Sequence, residues 1–155
     1  HEGTHQLLRK FAPSCPRWMH EGMATYFECS KFEFDAKHKR VGLRVGLLNA
    51  MRLGGFQGEH RAGRTVPLET FMKGGGGNPY TQGWALVYYL AKGKEGKYSR
   101  RLHSFVKECG NSNQVIENFQ KAFRVRDLNK FEKEWLEYIL ALNPKDGVRL
   151  AGQHR

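Results

Sequence analysis

The sequence predicts a mainly α-helical single domain with one small β-hairpin, on three observations. Apolar residues recur at helical spacing through most of the chain, as in Trp18, Met19, Met23, Tyr26 and Phe27, or Phe131, Trp135, Tyr138 and Ile139. Only two short runs, 31–35 and 41–45, alternate in character as strands do. The 155 residues, 39% of them hydrophobic, suffice for one core.

In chain order, helices are expected over 1–11, 16–30, 46–53, 79–93, 98–109, 113–123 and 127–142. The first two are separated by Pro13-Ser14-Cys15-Pro16, with Pro16 suited to a first helical position. So short a connection makes the two helices antiparallel neighbours. In the hairpin, Phe32 and Phe34 share one side, Glu33 and Asp35 the other. Gly54-Gly55 and the polar stretch 57–64 read as loop, and 74–77 as a glycine connector into the helix at 79–93. Beyond Ala91 the chain reads as structural. The stripe of Leu102, Phe105 and Val106 and that of Phe131, Trp135, Tyr138 and Ile139 are expected to buttress the helix at 79–93. A domain over 1–143 would then be followed by a polar, frayed tail over 144–155.

The residues with the clearest chemistry lie at the front. His1 and His5 are four apart, so on a helix they stand one turn above each other and can turn a ring nitrogen each to one cation. Glu2 lies about 100° around the helix, beside those ligands, where a general base belongs. Two neutral imidazoles, a third ligand and an adjacent carboxylate are what hydrolysis assisted by one Zn²⁺ ion requires. The third ligand is expected from the second helix. Glu21 is costly to bury there unless paired or metal-bound. His20 is its competitor, since adjacent helical residues cannot both face the metal. Gly22 is expected to leave room for the first helix, and Glu28, seven residues after Glu21, to accept a hydrogen bond from His1 or His5.

His1-Glu2-x-x-His5 followed by Trp18-x-x-Glu21-Gly22-x-Ala24-x-Tyr26-Phe27-Glu28 resembles the gluzincin zinc metallopeptidases. The fifteen residues between His5 and Glu21 are fewer than in the aminopeptidase N and leukotriene A4 hydrolase branch, and look more like the uncharacterised bacterial gluzincin-like domains. A metzincin pattern does not fit, because its third histidine would fall at Phe11 and its glycine at Leu8. A further stretch, Pro79-Tyr80-x-x-Gly83-x-Ala85-Leu86, is similar to that of the leukotriene hydrolase branch. The resemblance implies a zincin-like catalytic helical subdomain whose upstream sheet falls outside this chain. It also implies Glu21 as the third zinc ligand, Tyr80 as the hydrogen-bond donor to the oxyanion, and a peptide or protein substrate.

Net charge is +11 with a pI near 9.8. That balance favours acidic partners, yet no recognised nucleic-acid module accompanies it, so nucleic acid is not the expected ligand. The rival to an enzyme is a non-catalytic basic binding domain on a zincin scaffold, with an acidic protein, envelope polymer or nucleic acid as partner. No apolar run spans a bilayer. Cys15, Cys29 and Cys109 form no cysteine zinc motif and allow either one bridge or three thiols; the setting expected is secreted or cell-envelope. His38, His60, His103 and His154 read as isolated surface histidines.

Overall fold

The computed structural model describes residues 1–108 and 114–149. Among them are α1 (Glu2–Phe11), α2 (Arg17–Glu28), β1 (Lys31–Phe34), β2 (Arg40–Arg44), α3 (Ala50–Arg61), α4 (Leu68–Met72), α5 (Gln82–Gly96), α6 (Ser99–Glu108), α7 (Val115–Phe123) and α8 (Leu128–Ala141). The mainly helical class therefore stands, and the two strands pair antiparallel, Lys31 opposite Arg44 and Phe32 opposite Leu43, with an irregularity at Glu33/Phe34. No helix among the described residues is long and apolar enough to cross a membrane.

The core is built around α5. Every side chain from Gln82 to Leu90 is buried, as expected of a helix packed on several sides. α2 lies along one flank, and α3, α6 and α8 pack elsewhere around it. Tyr89 meets the rings of Phe131, Tyr98 and Tyr138 with centroids 5.5, 6.0 and 5.3 Å away. The C-terminal helices thus buttress α5 as their apolar stripes predict. The regular helix ends at Gly93, which lies against the Tyr89 ring; Lys94 and Glu95 then take positive φ.

Close approach of α2 and α5 rests on two glycines. A Cβ on Gly22 would lie 2.5 Å from the Gly83 carbonyl oxygen, and one on Gly83 would lie 2.8 Å from that of Trp18. The neighbour for which Gly22 makes room is therefore α5, not the first helix as the sequence suggested. The error came from reading Gly22 only against the nearest helix in sequence.

The stretch expected as a short helix over 46–53 and then a loop is different in outline. Gly46 has φ +60, a left-handed conformation, and lies against the Tyr26 ring, so no helix has begun there. The helix starts at Ala50, where Asn49 caps it by accepting from the Arg52 amide at 3.0 Å, and it runs on to Arg61 through Gly54, Gly55 and Gly58. Glycine opposes helix by about 1 kcal/mol per residue. Burial outweighs it here: Leu53, Phe56 and Gln57 share a helical face and point into the core. The Gln57 amide donates to the carbonyls of Ile139 and Leu142 at the end of α8, at 3.2 and 2.8 Å. Helix α4 was not predicted, being only five residues long; its first amide, on Leu68, donates to Glu132 at 2.9 Å.

The tail also departs from expectation as far as Arg149. Pro144–Asp146 forms a 3₁₀ turn, and Val148 exchanges backbone hydrogen bonds with Leu48 and Ala50. Gly147 permits this approach, since a Cβ there would stand 2.8 Å from the Leu48 oxygen. Cys15 is disulfide-bonded and Cys29 is a free buried thiol, which burial pushes up to about 11. Cys109 and His154 lie outside the described residues. His38 and His103 are exposed as expected, whereas His60 is half-buried, against Thr65 at 3.1 Å.

Candidate functional site

Helix α1 begins at Glu2 with His1 as its N-cap residue, and His1 and His5 occupy successive turns of one face. Their Nε2 atoms lie 3.0 Å apart. α2 brings Glu21 against that pair: Glu21 Oε2 is 3.3 Å from His5 Nε2 and 3.7 Å from His1 Nε2. All three donor atoms fall within 4.8 Å of one another. His5 is 9% exposed, and Glu21 Oε2 is buried with no hydrogen-bond partner.

These distances have a simple geometric meaning. A cation held tetrahedrally at about 2.0–2.1 Å from each donor sets donor–donor separations of roughly 3.3 Å. The three observed separations bracket that value. An unpartnered buried carboxylate oxygen is costly, and a cation among the three donors would satisfy it. The donor set therefore fits a single zinc ion.

His1 is held from behind by a carboxylate. Glu28 Oε1 lies 2.7 Å from His1 Nδ1, where it accepts from the ring N–H, and Nε2 faces the site. Glu28 follows Glu21 by two helical turns, which is why one helix supplies both carboxylates. Of the two histidines it might have served, it serves His1.

His20 is close but does not join the group. Its ring stacks on that of His5 with centroids 6.5 Å apart, and burial is the largest cause holding its pKa below the ordinary value. Glu2, by contrast, is exposed at the first position of α1 and has no hydrogen-bond or ion-pair partner among the described residues.

Tyr80 precedes α5 rather than lying on it, since the helix starts at Gln82. Its ring nonetheless stacks on that of His1 at 6.4 Å. The turn holding it is pinned at both sides by Glu59 of α3, which accepts from Asn78 at 2.8 Å and from the Thr81 hydroxyl. Asn78 in turn accepts from the Tyr80 amide at 3.0 Å. Arg52 completes the arrangement. Its guanidinium is 3.4 Å from Glu28 Oε2 and stands over the Tyr80 ring at 5.6 Å. Arg52 falls within the helix expected over 46–53 and Glu59 within the expected loop, so nothing in the sequence reading put the two on one helix. Had the helix been followed through its glycines, Arg52 and Glu59, seven apart, would have fallen on one face.

Beside His1 an apolar groove of about 520 Å³ opens between α1, α2 and the hairpin, lined by Leu7, Leu8, Met23, Phe27, Phe32 and Leu43.

No curated protein and no solved structure matches this chain. A family profile described as a protein of unknown function, DUF1570, matches residues 1–109, a span that holds both histidines, Glu21, Glu28, Arg52, Glu59 and Tyr80. The chain belongs to that family.

Proposed function

We propose that this protein is a zinc-dependent peptidase of gluzincin type, acting on peptide bonds. The reading rests above all on one observation: Glu21 Oε2 is buried without a hydrogen-bond partner and faces two imidazole nitrogens 3.3 and 3.7 Å away. His1, His5 and Glu21 would hold the ion. When bound, zinc supplies Lewis acidity toward the scissile carbonyl and lowers the pKa of water.

The remaining work falls to the chain's own side chains. Glu28 keeps the His1 proton on Nδ1, so that Nε2 stays a ligand. Glu2 takes a proton from the attacking water and hands it to the departing nitrogen, leaving one carboxylic acid and one amine as products. The Tyr80 hydroxyl donates to the carbonyl oxygen as negative charge grows on it. The groove beside His1 gives an apolar residue of the peptide a place to bury. The Cys15 disulfide suits an oxidising compartment, hence a secreted or envelope setting.

Glu21→Ala and His20→Ala separate the ligand from its neighbour. Glu21→Ala is expected to bind no stoichiometric zinc by elemental analysis. Its metal-free form should melt no lower than the metal-free parent, because an unpartnered buried oxygen is removed. His20→Ala should retain one zinc per chain. The reverse pattern would move the ligand to His20 and end this assignment.

Arg52→Met tests the support behind His1. Without the guanidinium, Glu28 loses the cation that holds its second oxygen, and the His1 ring is less firmly set. Loss of such a supporting contact is expected to weaken zinc affinity about 10- to 100-fold, read by chelator competition, with Arg52→Lys recovering part of it. Affinity unchanged in both variants would reduce Arg52 to a packing role.

A further inference from the structure

Another cleft, which shares no lining residue with the candidate site, lies between the start of α6 and the end of α7, with a volume of about 600 Å³. Lys97, Arg100, Arg101, Lys121 and Arg124 line it, and among the described residues no carboxylate does. None of the five takes part in an ion pair among the described residues, whereas nearby Lys94 is paired with Glu134. Lys97, Arg100, Arg101 and Ser104 follow one another at helical spacing, and Asn118, Lys121 and Ala122 do so on α7, so each helix turns one face to the cleft.

Local electrostatics makes this arrangement costly to maintain with nothing bound. The first turn of α6 holds no acidic residue, and Arg100 and Arg101 sit at the positive end of its dipole, where cations are disfavoured. Lys121 and Arg124 sit at the negative end of α7, where cations are favoured, and they face the first group across the cleft. Solubility alone needs positive charge dispersed over the surface, not five cations facing one concavity with no acid among the described residues that line it. Phe105, 1% exposed, floors the cleft.

We propose that this cleft is a binding site for a small polyanion with closely spaced phosphate groups, such as an oligophosphate chain. The fork-shaped guanidiniums of Arg100, Arg101 and Arg124 match phosphate oxygens in pairs, Lys97 and Lys121 add point charges, and the Ser104 hydroxyl offers a neutral donor. The volume suits a few linked phosphates, and Phe105, the aromatic residue lining the cleft among the described residues, is too buried to offer a face on which nucleobases would stack. The site is independent of the zinc reading.

Inorganic tripolyphosphate is the probe, titrated calorimetrically into the parent, into Arg100→Ala/Lys121→Ala, and into Lys37→Ala/Arg61→Ala. All four replaced residues are exposed, and both doubles remove the same charge, the second pair away from the cleft. Expected are one site per chain in the parent, at least tenfold weaker binding in the cleft double, and less than a twofold change in the remote double. Any metal stripped by the probe would contribute equally in all three proteins, so their comparison reads the cleft. Equal weakening in both doubles, several weak sites per chain, or no binding would overturn the proposal. So would a single-stranded oligonucleotide of similar charge binding the cleft tighter than tripolyphosphate.

Discussion

Glu2→Gln is expected to keep its zinc and lose its peptidase activity. Glu2 is exposed and unpartnered, so neither the fold nor the ligand cluster leans on it, and stability should stay within about 0.5 kcal/mol of the parent. The amide has nearly the same shape as the carboxylate but cannot take a proton from water. Removing a positioned base costs about 10²- to 10⁴-fold in rate. Measured as kcat/KM on a peptide library, with zinc stoichiometry checked alongside, a fall of that size with one zinc retained is the expected pattern. Undiminished cleavage in the variant would remove Glu2 from the mechanism. A parent that holds zinc but cleaves nothing, with or without added metal, would instead favour the non-catalytic binding domain.

Gly22→Ala is expected to destabilise the packing of α2 on α5. By helix propensity alone the change should stabilise α2 by about 1 kcal/mol. Packing reverses the sign. The new Cβ would stand 2.5 Å from the Gly83 oxygen and 2.8 Å from both the Gly83 carbonyl carbon and Val87 Cγ2. Two of those atoms are backbone in the most buried helix of the fold, so α2 must move off α5. Overpacking of this kind costs about 1–3 kcal/mol or more, a fall in Tm of several degrees for a domain this size. Because Glu21 precedes Gly22, the same movement should weaken zinc binding. Thermal melting and metal titration read the two effects, and an unchanged Tm would show that the helices separate without strain.

Much of the fold could be read in the residues. Helices α1, α2 and α5–α8 announce themselves by apolar spacing, and the hairpin by its two alternating runs. Helix α3 did so only over its first turn, because three glycines and several polar side chains hide a face made of Leu53, Phe56 and Gln57. Its stability comes from the Asn49 cap and from Gln57 reaching the end of α8, more than eighty positions away. Neither the short α4 nor the return of Val148 to Leu48 leaves a local pattern for periodicity to find.

The candidate site divides along the same line. The spacing of His1 and His5 and that of Glu21 and Glu28 follow from 3.6 residues per turn, so local sequence was enough to place each pair on one helix face. Which residue of α2 meets the histidines depends on how that helix is rotated. That rotation is set by Gly22 lying on Gly83, a contact between segments sixty residues apart. Tyr80 stands against His1 on a turn held by Glu59, and Arg52 of α3 meets Glu28 of α2, contacts between residues far apart in the chain. Helical periodicity is a property of neighbours in the chain, and the sequence carries it directly. Rotation and crossing are decided by close packing across the core, which only the folded molecule fixes.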